Sequence, residues 1–309
     1  MKNRPALTFI FLAYLFCYAI TLGFFWTGGS ITSPSLTFVL VAAMFTPAIA
    51  ALIVQKFVKR EPISALGLKP KFNRWILFAW FLPIGYILLT LLFSGLLPQT
   101  EWTTDASNII SILEQSGASA EEITATEAEL SALGPALPII VIGGALISAL
   151  IAGVTVNMLA GMGEELGWRG LLWNEWKHLG FWKASLMIGV VWGFWHAPMI
   201  WYGYNYPESP RWGVLMMVGL TIMLSAPHSF VRERAGTTWA PAILHGTNNA
   251  LGGLVPLFII GGNSFLTNIT GMAGFAALAV ANLLVWWLRR RDATKTAVSA
   301  EPTPSLELG

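Results

Sequence analysis

The chain has 309 residues, 55% of them hydrophobic and 11% charged, with a net charge of +2. A soluble domain carries roughly 25% charged residues. With a mean hydropathy of +0.63, this composition excludes an ordinary soluble enzyme, a nucleic-acid-binding protein and a disordered chain, and makes the lipid bilayer the first partner.

The apolar sequence comes in long runs free of Asp, Glu, Lys and Arg: Pro5–Gln55, Trp75–Thr100, Leu130–Gly163, Ala184–Pro207, Trp212–Val231 and Ala235–Leu288. A spanning helix needs about 20 such residues. Gly28-Gly29-Ser30 with Pro34 splits the first run, and Gly261-Gly262-Asn263 splits the last. The expectation is an all-α, polytopic transmembrane bundle of about eight spans: 6–26, 36–54, 75–97, a fourth between 136 and 176, 184–203, 213–231, 239–260 and 267–288. The first is read as a retained helix, because its apolar stretch exceeds the 7–15 residues of a signal-peptide core. Within the polar segment that follows the third span, Ser119 and Glu122 have capping-box spacing and predict a short exposed helix over 119–133.

With the N-terminus in the cytoplasm, 17 of the 18 basic residues fall inside and only Arg211 falls outside. The loop Gln99–Glu129, with seven acidic residues and no basic one, also falls outside. The positive-inside rule therefore predicts N-in and C-in. Residues 1–291 read as one integral membrane domain of the plasma membrane, and 292–309 as a flexible cytoplasmic tail rich in Ser, Thr, Pro and Ala. The single Cys17 permits no disulfide within the chain.

Polar groups at bilayer depth are costly and mark function. Three segments supply most of them. In Gly163-Glu164-Glu165-Leu166-Gly167-Trp168-Arg169, a helix makes Glu165 and Arg169 i, i+4 partners. Glu164 then points aside with no local partner. His196 sits among aromatic residues late in the fifth expected span; the plain alternative is a packed histidine bonded to a backbone carbonyl. His245 and Asn249 are also i, i+4 and project from one face, while Asn248 is turned aside; here the alternative is helix–helix hydrogen bonding. If the fourth span ends at Trp173/Trp176/Lys177, then Glu164 and His196 each lie about 20 Å deep and His245 at most about 16 Å. The three could then meet, and Glu165–Arg169 becomes an intramembrane ion pair. Residues 135–150 are left as an outer segment or an extension of a long helix.

A buried Glu can act as general base with a histidine sharing its water. A second His and an Asn amide can donate to a developing oxyanion. The same Glu164, His196 and His245 could instead hold Zn²⁺ with an open position for water. Both arrangements point to amide hydrolysis.

Glu164-Glu165-x-x-x-Arg169, then His196, then His245-x-x-x-Asn249 resembles the CPBP family of intramembrane proteases, which holds the CAAX prenyl proteases and the bacteriocin-processing and immunity (Abi) proteins. The resemblance runs from near Pro135 to near Ile260. It implies that Glu164 activates water, that His196 works with it, and that His245 and Asn249 hold the oxyanion or help to bind metal. Glu165 and Arg169 complete the first motif. The family commonly has Phe four residues before the second-motif His, and this chain has Trp192. The resemblance further implies cleavage near the C-terminus of a membrane-associated protein or peptide, with access from the cytoplasmic side. Two other readings stay open: a proton-coupled transporter, and a non-catalytic immunity or scaffold protein.

Overall fold

The computed structural model describes residues 4–103, 106–115 and 117–300. In chain order the helices are α1 (Arg4–Trp26), α2 (Leu36–Ile53, continued by a π-helical turn, Val54–Lys59), α3 (Arg74–Gly95), α4 (Ala106–Gln115), α5 (Ala120–Ala132), α6 (Leu137–Val154) and α7 (Val156–Glu165). There follow α8 (Trp173–Trp176), α9 (Phe181–Trp195), α10 (Ala197–Trp201), α11 (Pro210–Ala235), α12 (Trp239–Leu251), α13 (Leu254–Phe258) and α14 (Met272–Ala300). Two three-residue strands, β1 (Thr100–Trp102) and β2 (Ile259–Gly261), pair antiparallel with Thr100 opposite Gly261. The protein is an all-α bundle. Of the segment expected as a flexible tail, α14 takes in residues up to Ala300, and 301–309 lie outside the described residues.

Among the described residues, six helical segments are each long and apolar enough to cross a membrane: Arg4–Trp26, Leu36–Lys59, Arg74–Gly95, Gly134–Val154, Pro210–Ala235 and Met272–Asp292. The fourth expected span runs beyond its candidate segment, and the fifth and seventh are interrupted. The fourth breaks at Thr155 (φ −121°, ψ −108°) between α6 and α7, then runs on through a π-helical turn, Leu166–Leu172, into α8. Residues 137–154 thus extend a long kinked helical segment instead of forming a separate outer element. The fifth is the 15-residue α9 followed by α10, and the seventh is the 13-residue α12 followed by α13.

Proline explains one break and is accommodated elsewhere. Pro198 has no N–H to give to the Phe194 carbonyl, α9 ends at Trp195, and the Tyr18 hydroxyl donates to that carbonyl instead at 2.8 Å. Pro227 similarly frees the Met223 carbonyl, which accepts from Asn282 Nδ2 at 2.8 Å. Pro47 frees that of Ala43, which accepts from the Thr46 hydroxyl at 2.8 Å. In hydrocarbon an unsatisfied backbone group costs several kcal/mol, so such substitutes are what let these helices carry proline. The capping box of α5 forms as expected, with Ser119 and Glu122 bonded reciprocally on a helix with no buried residue; both Ser119 donors hold the Glu122 carboxyl below its ordinary range.

The two ends of the bundle differ in charge. At one end Lys59 pairs with Glu175, Arg234 with Asp292 and Arg289 with Glu233. Asn73 Nδ2 donates to the Ala235 carbonyl in the same cluster. The other end gathers the α1–α2, α10–α11 and β2–α14 connections: Phe25 stacks on Tyr202, Tyr206 donates to the Thr270 carbonyl, and Ser264 donates to Glu208.

α7 and α12 pack at close range. A Cβ on Gly246 would stand 2.5 Å from the Met158 nitrogen and 2.7 Å from the Gly153 carbonyl oxygen. Small residues at a membrane helix interface allow this approach. Gly246→Val is expected to force the helices apart, at about 1–3 kcal/mol or more; gel filtration in detergent should show a large loss of monodisperse protein.

Candidate active site

Glu164 and Glu165 end α7, where α2, α9, α11 and α12 all approach. Both are buried, at 2% and 0% exposure. Glu165 accepts from Arg169 Nη1 on both carboxylate oxygens, at 3.0 and 3.1 Å, and Arg169 is also 0% exposed. The expected intramembrane ion pair is present. Arg169 is held further by its Nη2 donating to the Ser225 hydroxyl (3.2 Å) and by the Trp192 ring, 4.7 Å from its guanidinium carbon.

Glu165 also accepts from His245 Nδ1 at 2.9 Å. That bond assigns the Nδ1 proton; when the ring is neutral, Nε2 is the lone-pair nitrogen. Nε2 stands 3.7 Å from Glu164 Oε1. The chain Arg169–Glu165–His245 therefore aims one imidazole nitrogen at the second carboxylate.

Glu164 is not without partners, contrary to the sequence expectation. Its Oε2 accepts from Trp192 Nε1 at 2.7 Å and from Trp168 Nε1, one turn along its own helical segment, at 3.3 Å. The indole of Trp192 supplies the shorter bond, so the departure from phenylalanine at this position has a chemical consequence. Oε1 remains facing His245. Trp192→Phe removes one donor and frees the carboxylate to rotate. A hydrogen bond to a charged group contributes about 1.5–3 kcal/mol, and 1.4 kcal/mol is about tenfold in rate. The rate of any reaction in which Glu164 acts as base is expected to fall by about tenfold or more, read from initial rates.

His196 lies at the break between α9 and α10. Its Nδ1 bonds the Trp192 carbonyl at 2.9 Å, so the plain reading of that histidine is met at one nitrogen, while its ring also lines the site. Asn249 lines the same space one turn beyond His245. Asn248 is not turned aside: its Oδ1 accepts from the Tyr86 hydroxyl (2.9 Å) and its Nδ2 donates to Asn249 Oδ1 (3.3 Å). Among the described residues, Asn249 Nδ2 has no hydrogen-bond acceptor and is left as a donor.

Sequence reasoning passed over His228. It is 1% exposed on α11, with Nδ1 bonded to the Leu224 carbonyl at 2.8 Å and Nε2 without a partner. Its ring lies 5.8 Å from that of His245 and 5.5 Å from that of Trp192. Its signal was present: a histidine inside the charge-free run Trp212–Val231.

Glu164, Trp192, His196, His228, His245, Asn248 and Asn249 line one cavity of about 640 Å³, within the roughly 300–1,000 Å³ of ligand pockets. Thr37, Leu40, Val41 and Met44 of α2 form one wall. Tyr204, Asn205, Ser264 and Thr270, from the less basic end of the bundle, also line it.

A buried Glu/His/His group of the kind expected is present: among the described residues, Glu165, His228 and His245 bring one donor each within 4.8 Å of one another. This set does not fit a divalent cation well. Glu165 is already neutralised by the guanidinium in contact with both its oxygens and also takes the His245 proton. A metal there would stand beside a buried, permanent positive charge.

The fold and site together define an α-helical membrane protein with a buried carboxylate–imidazole centre. Residues 137–251, which run from α6 to α12 and contain each motif residue, match the family described as type II CAAX prenyl endopeptidase Rce1-like. A 50-residue stretch is 38% identical to CAAX prenyl protease 2 of Methanococcus maripaludis, covering 16% of this chain and 18% of that protein's length. The resemblance to CAAX-type endopeptidases read from the motifs is thus shown over this core.

Proposed function

We propose that the protein is an intramembrane endopeptidase that hydrolyses a peptide bond with a water activated by Glu164. The observation that carries the reading is the pair of acceptors, Glu164 Oε1 and His245 Nε2, 3.7 Å apart at a cavity wall. A water donating one hydrogen to each has its lone pairs turned toward the cavity, where a carbonyl carbon would lie. On attack the water proton passes to Glu164, which can return it to the leaving amine. Asn249 Nδ2 donates to the oxyanion. His196, with Nδ1 bonded to the Trp192 carbonyl, presents its other ring nitrogen to the same space. Glu165, Arg169, Asn248 and Tyr86 position these groups.

The matched family is described as a CAAX prenyl endopeptidase, and the reading extends to a membrane-associated protein or peptide as the substrate class. No step passes through a metal. Purified protein in detergent, offered a small library of C-terminal and transmembrane peptides, is expected to cleave at least one of them equally well before and after treatment with a chelator. Loss of cleavage on chelation, restored by Zn²⁺, would contradict the metal-free form of the proposal.

A further inference from the structure

We propose that the peptide reaches Glu164 from the extracytoplasmic side of the membrane, so that the substrate is an exported or outward-facing segment. This rests on the endopeptidase reading and departs from the cytoplasmic access that the family resemblance implies. Three observations carry it. The first is the direction of the cavity. Its wall on α2 runs from Thr37, at the start of that helix, through Leu40 and Val41 to Met44. Met44 meets the Glu164 segment directly, since a Cβ on Gly163 would stand 2.7 Å from the Met44 carbonyl oxygen. From Thr37 to Met44 is about 10 Å of helical rise, whereas from Met44 to Lys56, the first cation beyond, is about 18 Å. Glu164 is thus nearer the Thr37 end.

The second observation is what surrounds that end. Tyr204, Asn205, Ser264 and Thr270 line the same cavity from the α10–α11 and β2–α14 connections. Ser264 donates to Glu208 there and holds that carboxyl below its ordinary range, so it is ionised at neutral pH. The acidic segment that follows α3 joins this end through the pairing of Thr100 with Gly261. The third is the opposite end, where Lys59, Arg234 and Arg289 form ion pairs and the side chain of Arg232 lies against Gly67. Basic loops face the cytoplasm; the cavity mouth is at the other end. Among the described residues that line the cavity none is Lys or Arg, so a carboxylate carried into it would find no permanent counter-charge. The part of the substrate inside the cavity therefore carries no carboxylate.

Thiol accessibility tests this without requiring cleavage, so its failure and that of the endopeptidase reading are separable. In a Cys17→Ser background, single cysteines are introduced as Thr37→Cys at the mouth, Val41→Cys one turn deeper and Lys69→Cys in the basic loop. Intact cells are treated with a membrane-impermeant maleimide. Thr37→Cys and Val41→Cys are expected to be modified, and Lys69→Cys to be modified only after permeabilisation. Modification of Lys69→Cys with protection of Thr37→Cys would overturn the proposal by reversing the protein in the membrane. Modification of Thr37→Cys with Val41→Cys protected would overturn it by showing the route closed.

Discussion

Arg169→Met is expected to destabilise the folded protein by about 3–5 kcal/mol, the cost of leaving one half of a buried ion pair without its partner. Both members are 0% exposed and joined by two hydrogen bonds from one guanidinium nitrogen. Methionine fills much of the space and keeps contact with the Trp192 ring, so the loss is electrostatic. Glu165 would retain only His245 as a donor, and its unneutralised charge would have no water to turn to. The double substitution Glu165→Gln with Arg169→Met removes both charges and should recover much of the stability. Thermal unfolding in detergent, followed by aggregation, reads the difference. Equal stability of wild type and Arg169→Met would show that the pair is not needed to hold α7 against α11.

Glu164→Gln is expected to lower the rate of peptide cleavage by about 10²–10⁴-fold, the usual contribution of a general base. The substitution keeps the shape of the side chain. A glutamine oxygen can still accept from Trp192 Nε1, which now bonds Oε2 at 2.7 Å, so the fold should survive. What is lost is the acceptor for the water proton opposite His245 Nε2. The melting temperature should stay close to that of the wild type while turnover collapses. That contrast separates a base from a structural carboxylate; Arg169→Met should show the reverse order of effects.

The membrane class and the basic end of the bundle were legible in the sequence because they depend on composition along the chain, and hydropathy records composition directly. The Glu165–Arg169 pair was legible because helical spacing decides it locally. The meeting of Glu164, His196 and His245 followed from an argument about depth, and the structure brings all three to one cavity. Three things were not legible. The break at Thr155 depends on how α6 and α7 both pack along α12, with Gly153 against Thr247 and Gly161 against the Ala242 carbonyl. The role of Trp192 depends on its indole N–H meeting a carboxylate from another helix, and the letter alone says only that an aromatic is kept. His228 reaches the site because α11 crosses behind it, so its Nε2 becomes a buried orphan only after folding. The same cause decides which buried donors lie closest together. Helical depth placed Glu164 level with two histidines, but side-chain direction gave Glu165 the closer pair.

The central claim is that Glu164 activates the water, and the most direct measurement is cleavage by folded wild type and folded Glu164→Gln, side by side, on the same peptide library with products identified by mass. The account predicts a new peptide terminus with wild type and a loss of at least about 10²-fold with the variant. Undiminished cleavage by Glu164→Gln would contradict it.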